Sequence, residues 1–104
     1  MKEFLDYAEN HTQEILDTLK HMVELESFTS DKNGTDSLSA YIIRRLDELG
    51  AQTTIIPQEK VGNHVVADIE GGEGRIMLLC HMDTVWPKGT IEKRPFTVEN
   101  DIAY

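Results

Sequence analysis

Residues 77–87 read MLLCHMDTVWP, an apolar run that ends in a histidine and carries an aspartate two positions later. Residues 76–80 are apolar at every position, which is typical of a strand covered on both faces. The pattern therefore predicts a buried strand over residues 75–81. Side chains alternate along a strand, so His81 and Asp83 share one face if the extended backbone continues to Asp83.

Two helices are predicted upstream of this strand. The first covers about residues 11–26, where apolar side chains recur at helical spacing. Residues 27–35 are rich in Ser, Thr, Asp, Asn and Gly, which indicates a loop. The second helix is expected to begin at a cap formed by Thr35 or Asp36 and to end at Gly50, because glycine favours the left-handed residue after a helix.

Three further extended segments complete the predicted fold. Residues 53–56 and 64–69 have the composition of strands, and residues 96–104 resemble a hairpin with a turn at Asn100 and Asp101. Helices followed by strands, one of them covered on both faces, indicate an α/β fold. We therefore expect helices packed on a mixed β-sheet, as in an α/β sandwich.

Composition narrows the class of protein. The chain has 104 residues and a formal net charge of −9, with no basic stripe for binding nucleic acid. Its length is that of one domain able to form its own core. No apolar stretch approaches the ~20 residues of a membrane span, and the N-terminus lacks the features of a secretory signal. A single cysteine, Cys80, agrees with a cytoplasmic location, which we expect.

The residues at the end of the predicted strand suggest a site that binds a ligand or a metal ion. Ligands of open α/β sheets bind beyond the carboxyl ends of strands. A neutral imidazole such as that of His81 binds Zn²⁺ through one nitrogen, and a carboxylate such as that of Asp83 can accept a hydrogen bond from the other. The same spacing also fits an ordinary strand end, so the pattern alone leaves both interpretations open. Cys80 alternates to the opposite face, which predicts a buried, inert thiol rather than a nucleophile.

The sequence as a whole resembles a known family. Its residues 78–104 are similar to the first metal-site segment of the dinuclear zinc metallopeptidases related to glutamate carboxypeptidase, acetylornithine deacetylase and succinyl-diaminopimelate desuccinylase, and most similar to glutamate carboxypeptidase. That segment has the pattern His-x-Asp-Thr-Val, then Pro-Phe and a short hairpin ending in Tyr. The matching residues here are His81, Asp83, Thr84, Val85, Pro95, Phe96 and Tyr104. Helix ends at residues 22–27 and 46–50 also match.

The resemblance implies roles for two residues. His81 matches a metal ligand, and Asp83 matches the catalytic carboxylate that orients it. The family uses two Zn²⁺ ions per complete site, and its bridging aspartate, its Glu-Glu pair and its other ligands have no counterpart in residues 1–104. We therefore expect the chain to be the N-terminal portion of a catalytic domain, without a lid or dimerisation domain, inactive alone and binding zinc weakly at best.

Three hypotheses about function follow. The first is that the full-length parent is a metal-dependent, carboxypeptidase-like hydrolase that cleaves an amide bond beside a free carboxylate, in a small peptide or an N-acyl amino acid. The second is a non-catalytic α/β module that binds a protein partner through an exposed sheet edge. The third is a cysteine hydrolase that uses Cys80. We also expect apolar surface to drive self-association of the chain.

Overall fold

The computed structural model describes all residues from 1 to 104 and contains four helices and four strands. The helices are α1 Lys2–Asn10, α2 Thr12–Glu24, α3 Lys32–Glu48 and α4 Thr90–Lys93, and the strands are β1 Gln52–Ile56, β2 His64–Asp68, β3 Val98–Glu99 and β4 Ile102–Ala103. None of the helices combines the length and apolar character needed to cross a membrane. The mixed α/β composition agrees with the sequence.

The N-terminal end of α3 differs from the prediction. The cap is Asp31, whose Oδ1 accepts a hydrogen bond from the Gly34 amide at 3.1 Å, and not Thr35 or Asp36. The loop expected over residues 27–35 is therefore shorter and ends at Asp31. The Asp31 carboxylate accepts a hydrogen bond from one of the free amides of the first turn, which stabilises a helix that begins at the next residue. At the other end Gly50 has a φ of +79°, and this prediction is confirmed.

Both sheets are two-stranded antiparallel hairpins. Strand β1 pairs with β2, from Gln52 opposite Asp68 to Ile56 opposite His64, and β3 pairs with β4. Asn100 and Asp101 have φ values of 50° and 62°, as a type I′ turn requires, which confirms the predicted hairpin. The expected mixed sheet does not form. The only parallel pairing is a single bridge between Phe28 and Thr84.

The predicted strand over residues 75–81 is absent. This segment has no regular secondary structure, and Ile76, Met77, Leu78 and Leu79 are between 84% and 93% exposed. An all-apolar strand is stable only with neighbours on both edges and layers on both faces. Because β1 and β2 pair with each other alone, nothing in the chain supplies these neighbours. The apolar pattern indicates side chains that need neighbouring strands and covering layers, but it does not show whether the chain contains them.

The core is small and mostly polar. Five residues are buried, and Leu38 is the only large apolar side chain among them; the others are Ser27, Gly34, Thr35 and Ser39. The radius of gyration is 15.5 Å, compared with about 13 Å for a compact domain of ~100 residues. The chain is also flat, with extents of 43 × 41 × 19 Å. The core that a chain of this length could form is therefore not present within these residues.

A polar network attaches the connection between β1 and β2 to helix α3. The Lys32 ammonium lies 2.8 Å from the Asp36 carboxylate and 3.0 Å from Asn63 Oδ1, and the Asn63 amide donates to Asp36 at 2.7 Å. These donors hold the pKa of Asp36 below its ordinary value, the Lys32 hydrogen bond contributing most. A Cβ atom added at Gly62 would overlap the Thr35 side chain, which shows that Gly62 and Thr35 are in close contact.

Replacing Gly62 tests this contact. We expect Gly62→Ala to lower the free energy of unfolding by about 1–3 kcal/mol, because the added methyl group must displace a buried threonine. Gly72→Ala is the matched control, since its Cβ would enter open space, and we expect a change within about 0.5 kcal/mol. Urea denaturation followed by circular dichroism measures both. Equal stabilities of the two variants would contradict the close packing.

Candidate functional site

Residues that are more than 50 positions apart meet beside the histidine and aspartate singled out in the sequence. The Thr84 amide donates to the Ser27 carbonyl at 2.7 Å, and the Thr29 amide donates to the Thr84 carbonyl at 2.9 Å. The buried Ser27 hydroxyl donates to the Met82 carbonyl at 2.6 Å. We call Ser27, Phe28, Thr29, Met82 and Thr84 the bridge region. These contacts fix the backbone on both sides of Asp83.

The side chains of His81 and Asp83 lie next to each other, although the backbone is not a regular strand. His81 Nδ1 is 3.6 Å from Asp83 Oδ1. This separation is longer than a hydrogen bond, so the carboxylate biases the imidazole electrostatically without holding it rigidly. The His81 side chain is 92% exposed, whereas Asp83 is partly buried. The carboxylate is therefore the more enclosed member of the pair and the imidazole the more exposed one.

Asp83 is held in its ionised form. Thr29 Oγ1 donates to Asp83 Oδ2 at 2.7 Å. This hydrogen bond is the main cause that lowers the pKa of Asp83 below its ordinary value, with a smaller contribution from His81. A carboxylate that stays ionised remains an acceptor at neutral pH. Asp83 thus has the charge state needed to orient a neutral imidazole.

A cleft of about 270 Å³ lies beside the pair. Residues from four parts of the chain line it: Thr29, Thr35, Val61, Gly62, Asn63, His64, Cys80, His81, Met82 and Asp83. Cys80 is exposed and lines the same cleft as His81. The prediction of a buried thiol on the opposite face is therefore wrong, because without a regular strand the alternation of side chains does not apply.

The donor atoms near the cleft fit one metal ligand but not a complete metal site. No group of three or more His, Cys, Asp or Glu side chains in the chain is arranged to hold a metal ion. A catalytic zinc site needs about three protein ligands and an open position. His81 supplies one exposed imidazole with a carboxylate beside it. Residues 1–104 alone therefore do not supply enough ligands for a catalytic metal site.

Glu26 fixes the segment that follows the pair. Its carboxylate oxygens accept hydrogen bonds from the amides of Gly89 at 3.0 Å and Ile91 at 3.1 Å, at the start of α4. Gly89 has no side chain to cap this helix, so Glu26 supplies the acceptor. The hydrogen bonds lower the pKa of Glu26, that from Gly89 most. Glu26 itself has a φ of +46°, an uncommon backbone conformation for this residue type.

The aromatic residue after the pair packs against a cation. The Arg94 guanidinium lies 4.8 Å from the centre of the Trp86 ring, which remains 54% exposed. Trp86 therefore packs against Arg94 while keeping about half of its surface exposed. Sequence reasoning missed Glu26 and Thr29 altogether. Their partners are distant in the chain, and the only local signal was a Ser- and Thr-rich segment that we interpreted as a loop.

Comparison with known proteins gives one informative similarity. No protein-family model matches the sequence. The chain is 36% identical over 93 residues to Carboxypeptidase G2 of Pseudomonas sp. (strain RS-16), and the match covers 86% of this chain and 22% of that protein. The chain thus spans less than a quarter of the length of the curated relative that it matches. The similarity includes most of the elements described above.

The capping role of Glu26 predicts a specific pH dependence. Because the pKa of Glu26 is lowered on folding from its ordinary value of 4.5, its contribution to stability is present above that pH and is lost as the pH falls through the folded-state pKa. We expect Glu26→Gln to be less stable than the native chain at pH 7 and to approach it in acid.

Urea denaturation at a series of pH values measures this difference. Glu73→Gln is the control, because Glu73 lies in an exposed turn, and its stability is expected to follow that of the native chain. A deficit of Glu26→Gln that stays constant from pH 7 into acid would show that its carboxylate does not cap α4.

Proposed function

Because the chain is similar in sequence to a carboxypeptidase, we propose that it is part of a hydrolase that cleaves an amide bond next to a free carboxylate. A small peptide or an N-acyl amino acid is the substrate class. The observation that supports this most directly is the Thr29-fixed carboxylate of Asp83 beside the exposed imidazole of His81. Such a carboxylate–histidine pair is the usual way to present one nitrogen to a metal ion.

In this proposal His81 is a zinc ligand and Asp83 orients it. Zinc held in a complete site would activate water as the nucleophile. The remaining ligands, including those for a second ion, come from residues outside 1–104, since no group of three or more His, Cys, Asp or Glu side chains in this chain could hold a metal ion. The chain is then the N-terminal portion of a cytoplasmic catalytic domain, and alone it is inactive and binds zinc weakly.

A chimera tests this role. The aligned segment of Carboxypeptidase G2 is replaced by this chain, and the release of a C-terminal amino acid from a peptide is assayed together with the zinc content of the purified protein. We expect activity in the chimera, its loss with His81→Ala, and a decrease of about 10–100-fold with Asp83→Ala, as for other residues that orient a metal ligand. His64→Ala is the matched control at the same cleft.

The outcomes separate the roles. A folded chimera that keeps activity and zinc after His81→Ala would contradict the ligand assignment. If His64→Ala removes zinc instead, the ligand is the other histidine of the cleft. Activity abolished by alkylation of Cys80 and retained after His81→Ala would favour the cysteine hydrolase.

The exposed apolar run favours a second candidate, a module that binds a protein partner. Ile76, Met77, Leu78 and Leu79 form an almost fully exposed stretch without strand neighbours, suited to adding a strand to another chain. An inactive chimera that does not bind zinc would favour this candidate over the hydrolase.

The same run leads us to expect self-association. We expect the apparent mass in light scattering to rise with protein concentration, and Leu78→Lys to reduce the increase by placing a charge in the run. Leu49→Lys is the control, because Leu49 is 69% exposed at the end of a helix, away from the run. A constant monomer mass up to high concentration would refute self-association.

A further inference from the structure

Thr29 connects the bridge region to the candidate metal ligand. Its hydroxyl lies 2.7 Å from Asp83 Oδ2 and 3.0 Å from the Thr84 carbonyl. A hydroxyl has one proton and donates to one of them. The carboxylate is both nearer and charged, so it is the stronger acceptor. The Thr84 carbonyl already accepts the amide of Thr29 at 2.9 Å.

The hydroxyl is placed accurately because the backbone that carries it is fixed. The Ser27 carbonyl accepts a hydrogen bond from the Thr84 amide, and the buried Ser27 hydroxyl donates one to the Met82 carbonyl. The residues on both sides of Asp83 are therefore bonded to a residue two positions before Thr29. Thr29 and Asp83 therefore keep their relative positions even where the surface around them is exposed.

Fixing one oxygen of a carboxylate determines the direction of the other. With Oδ2 held by Thr29, Oδ1 of Asp83 lies on the side of His81, 3.6 Å from its Nδ1. Asp83 is also the only polar partner of this exposed imidazole. A negative charge close to Nδ1 favours a proton there, which leaves Nε2 with its lone pair available.

We propose that Thr29 is a positioning residue that directs the Asp83 carboxylate at Nδ1 of His81 and so favours the Nδ1–H tautomer. The ring then presents Nε2 to an incoming electrophile such as a divalent cation. The inference rests on the proposed function only where it assigns metal binding as the use of this tautomer. The tautomer itself forms in the chain without metal. It can therefore be tested apart from zinc binding and activity.

The test is the tautomer of His81 in the metal-free chain of 104 residues. Long-range proton–nitrogen correlation spectra at about pH 8.5, where imidazole is neutral, report which ring nitrogen carries the proton. His81→Gln identifies the resonances. We expect the Nδ1–H form to be enriched in His81 relative to His64, which has no carboxylate at ion-pair distance, and Thr29→Val to shift His81 to the His64 pattern.

Three further variants complete the design. Thr29→Ser keeps the hydroxyl and is expected to retain the native tautomer, which a merely steric role of Thr29 does not explain. Thr54→Val, an exposed strand residue, controls for the same change elsewhere. Asp83→Ala is expected to give the same shift as Thr29→Val. Backbone amide spectra show that each variant is folded.

The outcomes distinguish two failures. If Thr29→Val keeps the native tautomer while Asp83→Ala changes it, Asp83 orients His81 without Thr29 and the inference is overturned. If neither variant changes the tautomer of His81, the Asp83 carboxylate does not orient the ring. That result also removes this support for His81 as the proposed metal ligand. Zinc content of the chimera tests that role independently.

Discussion

The hydrogen bonds between residues 27–29 and 82–84 are the constraint on which the site depends. They join segments more than 50 positions apart, in a chain that buries only one large apolar side chain. A typical hydrogen bond contributes about 1 kcal/mol to stability, but leaving a buried donor unpaired costs about 1–3 kcal/mol. Because Ser27 is buried, removing its hydrogen-bond partner while the segments remain packed carries that larger cost. The bridge region therefore joins the two segments through hydrogen bonds rather than through a large apolar core.

The pair of His81 and Asp83 follows from this constraint. The bridge region fixes Met82 and Thr84, and Asp83 between them gains a hydrogen bond from Thr29. His81 lies just outside the fixed part and is almost fully exposed. A held carboxylate beside an exposed imidazole is suited to orienting one metal ligand, which is the role we propose for His81. The similarity to a carboxypeptidase over 93 residues gives this proposal a chemical context.

Features determined by local sequence could be predicted, and those that depend on distant partners could not. The turn at Asn100 and Asp101 and the helix end at Gly50 follow from residues that tolerate left-handed backbone, and both were predicted. The apolar run at residues 76–79 predicted a strand that needs neighbours, and the chain provides none. The exposure of Cys80 follows from the same missing strand.

The sequence pointed to His81 and Asp83 through their spacing, and the structure brings their side chains together by a different route. Proximity comes from the bridge region and not from the pleat of a strand. Thr29 and Glu26, which fix the surroundings of the pair, gave no recognisable signal, because a hydrogen bond across more than 50 residues leaves no local pattern.

Hydrogen exchange of the Thr84 amide measures the bridge region most directly. This amide donates to the Ser27 carbonyl at 2.7 Å, whereas residues 76–79 lie in an exposed segment without secondary structure. At low protein concentration we expect Thr84 and Thr29 to exchange far more slowly than their unstructured rates, and Ser27→Ala to accelerate both. Exchange of Thr84 at the unstructured rate in the native chain would contradict the proposal that the bridge region organises the site.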